Sequence, residues 1–540
     1  MAIVDMKADA PVGAIAPYFG QDLDIARSDG WLPCDGAMLV REEWADLFAA
    51  IGTSFGTASD VDFCLPDLRG LFARAPDAGV GRDKDVATRT ASGPNGTGSS
   101  GDNVGSLQLD ATASPTGGGF KVSGRFDFAG NKTHDGCSDS TRIKSGDTAM
   151  VALGGGDAES RPVNLNGLYI IKARPNISTD RKRGQLPLGS GLALPYDQDA
   201  KGDGIDLALK GLLDDYWRYC NGQTFVSADG SSFHPLYKVI GTIHGGKLND
   251  AGAISHFAVP DLRGLFIRGV AGDRQGNGSD PDRDTRMTPR PDLALAGNEG
   301  NRPGSYQDWA TAMPRGDKSF KASINSYPFS STKGYQAGAA NASSFGSGST
   351  TFGSSGGDAE TRPETFLVHW YCRFQSSPSG SKPGEEIPLG AILLAGTVEE
   401  LSCWQACQGQ TLPINEYAPL FKIIGTAFGG DGKTSFCLPD LRGRILRGAG
   451  ASDIVYPRPR GAPDGKAGTT QANSTGAPRT GFALTLANWP GGSRNDIIDY
   501  GTGRRLMKLD GDKTLDVAGG DAESRPVNLS IQHLIKVRTA

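Results

Sequence analysis

The sequence predicts a mixed α/β, Gly-rich protein of three tandem domains, each a small β-rich framework with one short helix and a long irregular insert. Three observations carry this. A W-x-x-C-x-G element recurs as Trp31, Cys34 and Gly36, as Trp217, Cys220 and Gly222, and as Trp404, Cys407 and Gly409. A P-D-L-R-G element follows each copy in the same order, at 66–70, 260–264 and 439–443. Glycine supplies 77 of the 540 residues and charged residues only 21%, a composition of turns and short elements rather than long helices.

Between the two landmarks of each copy, apolar residues fall at i, i+3, i+4 and i+7: Trp44, Leu47, Phe48 and Ile51; Phe233, Leu236, Tyr237 and Ile240; Tyr417, Leu420, Phe421 and Ile424. That spacing is one buried face of a short helix. Gly52, Gly241 and Gly425 are expected to end it in the left-handed cap conformation. A second arginine follows each P-D-L-R-G, at Arg74, Arg268 and Arg447. Each copy closes with G-D-A-E-[ST]-R-P and an apolar, strand-like segment at 163–171, 365–374 and 527–537. The inserts are rich in Gly, Ser, Thr and Asn, and their tracts at 91–102 and 343–357 cannot bury enough apolar surface to order alone. The boundaries read 1–174 with its insert at 80–150, a linker at 175–187, 188–375 with its insert at 270–352, a linker at 376–387, and 388–540 with its insert at 450–516.

Lys and Arg total 55 against 60 Asp and Glu, a net charge of −5, so the chain lacks the positive field that phosphate backbones require. No nucleic acid is expected as a partner. No secretion signal or membrane-spanning run is expected either, because the apolar runs fall far short of membrane thickness. Eight cysteines are too sparse for a disulfide scaffold. Cys34 with Cys64, and Cys407 with Cys437, flank the same helix in aligned positions and are expected to lie close together as buried thiols.

These landmarks resemble the phage tail collar family, which includes short tail fibres and microcystin-dependent proteins. The third copy carries the likeness furthest, from Trp404, Cys407 and Gly409 through Phe428 to Gly443. The resemblance implies a virion structural protein of a contractile or related tail, assembled in the host cytoplasm. Its partners would be other tail, collar or baseplate proteins, with a host-surface glycan as a further partner. Related fibres are often trimeric, and three copies in one chain imply a monomeric pseudo-threefold head with the closing segments near its axis. The family's axial metal site does not carry over. After the prolines that mark the region, Pro115, Pro314 and Pro478, no His-x-His follows.

Four signals for chemistry fail on their own terms. The G-x-S-x-G at 353–357 lies in low-complexity sequence without the strand and helix of a nucleophile elbow. Gly432, Lys433 and Thr434 lack the earlier glycine of a phosphate loop, Ala427 standing there. Cys403 and Cys407 have no second pair for zinc, and Arg315, Gly316 and Asp317 form a common tripeptide in a Gly-rich chain. No catalytic residue, metal or cofactor is therefore assigned. A polysaccharide-degrading tailspike would need an acid pair, and none stands out.

The repeated framework residues read as scaffold: Trp31, Cys34, Asp67, Arg69, Glu159 and Arg161; Trp217, Cys220, Asp261, Arg263, Glu360 and Arg362; Trp404, Cys407, Asp440, Arg442, Glu523 and Arg525. Guanidinium forks in irregular backbone satisfy carbonyls and carboxylates that no ladder pairs. Tyr306, Trp309, Tyr335 and Trp489, aromatics within the inserts, are the candidate receptor contacts. The expected function is structural and adhesive, the inserts presenting loops to a host receptor. A purely architectural neck, collar or baseplate piece is the alternative.

Overall fold

A computed structural model describes residues 10–19, 23–28, 30–83, 85–113, 120–123, 148–155, 160–162, 164–174, 186–188, 190–195, 215–274, 280–312, 321–325, 350–363, 365–373, 387–395, 403–449, 467–472, 474–476, 482–484, 517–518, 524, 526, 528–536 and 538. The chain is β-rich, with one seven-residue helix per copy at Ala45–Ile51, His234–Ile240 and Ala418–Ile424. Each helix starts one residue later than the apolar pattern, because Trp44, Phe233 and Tyr417 serve as N-caps. Leu47, Leu236 and Leu420 sit at the buried centre of each face. Among the described residues no helix is long and apolar enough to cross a membrane.

The glycines that end these helices do not adopt the left-handed helical conformation. Their φ of 52° to 54° is positive, but ψ near −136° places them in a region open essentially to glycine alone. Each N–H still donates to the carbonyl four residues back, on Phe48, Tyr237 and Phe421.

The three copies are not three closed units, because their strands are exchanged in sequence. The closing strand Asn164–Lys172 of the first copy runs parallel to Phe266–Gly269 of the second. The closing strand Thr365–Arg373 of the second runs parallel to Ile445–Gly448 of the third. Asn528–Ser530 of the third returns to Phe72–Arg74 of the first. The pairing therefore closes on itself. On its other edge each closing strand pairs antiparallel with the short strand holding the next copy's glutamine: Asn164 with Gln307, Thr365 with Gln471, Asn528 with Gln108.

The opening strands interlock as well. Ala14–Tyr18 pairs with Ile392–Ala395, which pairs with Gly191–Leu194, and Tyr18 bridges to Ser190. The alanine, leucine, isoleucine and tyrosine residues of these three strands are all buried, so one apolar core draws on all three copies. A smaller core joins Phe72, Phe266 and Ile445, one from each copy. The segments read as linkers end in buried anchors: Leu186 and Ile387 occupy the place of Ala10. Lys172 Nζ donates to Ala10 O at 2.7 Å and Lys536 Nζ to Ile387 O at 2.8 Å, while Arg373 Nη1 donates to Leu186 O.

One insert tract is held by its neighbours, as a segment that cannot order alone requires, and one motif has a different setting from that expected. The tract at 91–102 is ordered by close backbone contact: a Cβ on Gly56 would lie 2.5 Å from Gly93 Cα, and one on Gly105 would lie 2.2 Å from Ser54 O. Glycine is there to let chains touch. The G-x-S-x-G at 353–357 lies inside the strand Thr350–Arg362, which pairs with Phe120–Ser123 of the first copy and Phe482–Leu484 of the third. Arg315 to Asp317 lie outside the described residues.

Cys34, Cys64, Cys220, Cys372, Cys403 and Cys407 are buried free thiols, and Cys437 is a half-buried one. Cys64 sits across a ribbon from Met38, and Cys437 across one from Thr411. In the second copy Cys220 donates its N–H to Trp370 O, which places Cys372 diagonally across the ladder on the same face.

A Cβ at Gly52 or Gly425 would meet nothing within 4 Å, so any cost there is pure backbone strain. Gly425→Ala is expected to lower unfolding stability by about 1–3 kcal/mol without changing packing. Denaturant titration against the wild type checks this, an unchanged midpoint counting against the backbone assignment.

Candidate functional site: the arginine junctions

The second arginine of each copy is fully buried and crosses to its neighbour. Arg74 Nε donates to Gly443 O at 3.0 Å, Arg268 Nε to Gly70 O at 2.8 Å, and Arg447 Nε to Gly264 O at 3.0 Å. In each case the acceptor is the last glycine of a P-D-L-R-G in the preceding copy. Arg268 lies over the Phe72 ring at 5.3 Å and Arg447 over Phe266 at 5.2 Å, a cation–π contact that the third junction replaces with Ile445. At the other end of each guanidinium a glutamine oxygen accepts: Gln108 from Arg74, Gln307 from Arg268, Gln471 from Arg447.

A second buried arginine and an aspartate complete two of these boxes. Arg286 donates to Asp280 at 2.9 Å, Gln307 at 2.6 Å and Asn164 of the first copy's closing strand at 2.7 Å. Arg89 donates to Asp83 at 3.0 Å, Gln108 at 2.8 Å and Asn528 of the third copy's closing strand at 2.9 Å. Burial alone would raise the Asp280 carboxyl, but Arg268, Arg286 and the Gln307 amide outweigh it and hold it below the ordinary carboxylate range. Burial draws Arg286 down to about 10, against the pull of Asp280.

The scaffold residues read from the sequence form a second layer. Arg69 grips Asp67 through its backbone N–H, Nε and Nη2 at 3.0 to 3.1 Å, and Arg263 with Asp261 and Arg442 with Asp440 repeat the clamp. The clamp seats the W-x-x-C-x-G turn: Leu68, Leu262 and Leu441 N–H groups donate to the Cys34, Cys220 and Cys407 carbonyls. The turn's glycines have φ of 74° to 76°, with the aspartate Cβ about 3 Å from where their own would be. Neighbouring copies bind this clamp too. Arg274 reaches the Asp67 and Arg69 carbonyls, and Arg82 reaches Asp440 and the Arg442 carbonyl. Trp31, Trp217 and Trp404 are buried opposite Lys172, Arg373 and Lys536.

Among the closing residues, Arg161 is buried and donates to Asp308 O at 3.1 Å and Asp282 at 2.7 Å in the second copy. Glu159, Glu523 and Arg525 lie outside the described residues, as do the side chains of Glu360 and Arg362. The candidate receptor contacts need correction. Tyr306 is fully buried, its hydroxyl donating to Asp308, and Trp309 is 6% exposed. Both belong to the segment that receives the first copy's closing strand, so neither presents a face to a receptor. Tyr335 and Trp489 lie outside the described residues.

Sequence reasoning missed Asp83, Arg89, Asp280, Arg286 and the three glutamines as a unit. The signal available was the matched spacing of Asp83 to Arg89 and Asp280 to Arg286 just ahead of each buried glutamine. Every polar group of these boxes is engaged, which suits pinning and leaves no free base or nucleophile there. The Lys433 loop is a turn closed by Asp431, which accepts from the Lys433, Thr434 and Ser435 N–H groups. Among the described residues no group of three or more His, Cys, Asp or Glu is placed to hold a metal.

Two consequences are measurable. Asp280→Asn strips the anion from a buried pair and is expected to cost about 3–5 kcal/mol in unfolding stability. Because the folded carboxyl titrates below its ordinary 3.8, its contribution is present above that pH and lost as pH falls, so the variant's acid-induced loss should be shallower. His244, standing where the other copies have Phe55 and Phe428, is buried, and burial lowers it to about 4 despite the bond to Phe19 O. Its neutral form supports the fold above pH 6.5, and that support, about 3 kcal/mol, is lost toward pH 4. His244→Phe should flatten the stability profile across that window in urea titrations at stepped pH.

The sequence model of the Phage Tail Collar Domain matches residues 13–73, 210–267 and 390–446, each ending in the strand that carries the crossing arginine. Protein RhiB of Rhizobium leguminosarum bv. viciae is 30% identical over a 208-residue alignment that takes in 31% of this chain and 89% of that protein. The chain belongs to the phage tail collar domain family, in three tandem copies, and is of the tail fibre type of structural protein.

Proposed function

We propose that this chain is a non-enzymatic tail component whose three copies form one pseudo-threefold head, monomeric in itself, that presents its inserts to a receptor on the host surface. The cyclic strand exchange carries the reading: each copy needs the closing strand of the one before, and three copies supply all three. The inserts also interleave, Thr148–Gly155 of the first copy pairing with Lys321–Asn325 of the second and Phe482–Leu484 of the third. A surface built jointly from three inserts on a pinned base suits recognition by loops.

The architectural alternative has its own observation. Copies one and two bear exposed apolar side chains on their outer ribbons, Met38, Val40 and Val61 in one and Val226, Leu248 and Ile254 in the other. The matching ribbon of the third copy carries Thr411, Pro413 and Ser435. Such patches suit contact with a neighbouring tail protein.

Light scattering on the purified chain is expected to give a mass near 56.5 kDa. Three times that mass would overturn the monomeric head. Fluorescently labelled chain is expected to decorate a subset of a bacterial panel, and retention on purified tails with no cell binding would leave the architectural alternative standing.

A further inference from the structure

The second copy carries an open cleft of about 880 Å³ that the arginine junction borders without filling. One wall is the 3₁₀ turn Arg283–Thr285 and the chain after it, the other the loop at 299–302. Arg286 forms part of its floor, fixed by Asp280, Gln307, Asn164 and Ser305. The cleft is therefore shaped by groups that cannot shift without breaking the junction.

The first copy supplies the comparison. Gly101 N–H donates to Arg89 O, as Gly300 N–H donates to Arg286 O, so the two loops correspond at this bond, although the second copy has two more residues between the partners. Where the first copy has Ala87, Ser100 and Asn103, the second has Asp284, Glu299 and Arg302, all three exposed. Asp102 of the first copy accepts from the Asp77 N–H at 2.7 Å and the Gly79 N–H at 3.3 Å. Its counterpart Asn301 donates from Nδ2 to Gly272 O at 2.8 Å, while its buried Oδ1 has no donor among the described residues. An acceptor that the first copy satisfies from its own loop is thus left over in the second.

The geometry points to this cleft as a binding site for one sugar unit of a glycan. Two carboxylates accept from hydroxyls, Arg302 donates to ring or hydroxyl oxygens, and Met287 and Pro291 offer apolar surface to a C–H face. Asp284 and Glu299 share the cleft lining with Arg302, and Arg283 Nε lies 4.0 Å from the Asp284 carboxylate, so the formal charges balance and the site suits a neutral polyol better than an ion. Its volume lies in the range of small-ligand clefts. The inference rests on the adhesive reading and names the chemistry it would use.

Saturation-transfer NMR on the full chain, with glucose, galactose, mannose and N-acetylglucosamine as separate probes, tests it. Transfer to at least one sugar is expected, with at least a tenfold loss of affinity for that sugar in the Asp284→Ala, Glu299→Ala double variant. Both side chains are exposed, so an unchanged melting temperature shows the variant folded. Transfer to none of the four, or equal affinity in the double variant, overturns the cleft. The adhesive reading has a separate readout: wild type and double variant binding the bacterial panel alike would discard the cleft and keep adhesion, whereas no cell binding by either would discard both.

Discussion

A guanidinium taken out of water must find partners where it lands, and in this chain each crossing arginine has one of those partners in a different copy. Stripping one member from a buried charged pair costs several kcal/mol, so Arg74, Arg268 and Arg447 are tolerable only when the preceding copy's P-D-L-R-G glycine is in place to accept. That requirement couples each repeat to the one before it. The closing strands add the reciprocal dependence, since Asn164 and Asn528 reach forward to Arg286 and Arg89. No copy satisfies its buried polar groups by itself, and the set as described closes only when the third returns to the first.

The rest of the architecture follows from holding these boxes dry. The Asp–Arg clamps at 67–69, 261–263 and 440–442 fix the carbonyls that the crossing arginines need, and the W-x-x-C-x-G turns lock those clamps from behind. Above and below, apolar residues exclude water: the opening strands on one side, Phe72, Phe266 and Ile445 in the middle. A low-dielectric surround strengthens each hydrogen bond in the box and raises the cost of any unpaired group, which makes the junction specific as well as stable.

What could be read from the sequence was whatever has a local period or a repeated spacing. The helices, their glycine stops, the Trp and Cys turns and the Asp–Arg clamps all have partners within a few residues or recur in aligned positions. What could not be read was which copy a strand joins, because pairing Asn164 with Phe266 leaves no periodic trace in either segment. The same blindness explains Tyr306 and Trp309. They lie in a Gly-rich insert and looked superficial, but their stretch is the receiving edge for a strand from another copy, and that edge needs large apolar side chains. Arg74, Arg268 and Arg447 were visible as a repeat, yet their depth depends on a neighbour that composition cannot name.

Covalent connection changes what each junction is free to be. Three identical chains would place the same residue at all three equivalent points, whereas here the points have diverged without breaking the pairing. Cys34, Cys220 and Cys407 donate their N–H groups to Tyr169, Trp370 and His533 in turn, three rings of different size at one register position. A small void of about 10 Å³ lies beside His533 and Cys407 in the third copy. Phe72 and Phe266 carry arginines on their faces while Ile445 cannot, and His244 replaces a phenylalanine in one copy of three. Each change would be multiplied threefold in a homotrimer, so a buried histidine that weakens the fold in acid would be suffered three times over instead of once. The strict conditions therefore fall on the strands and arginines that close the pairing. The ribbons and inserts outside it can differ, as the open cleft of the second copy and the polar outer ribbon of the third do.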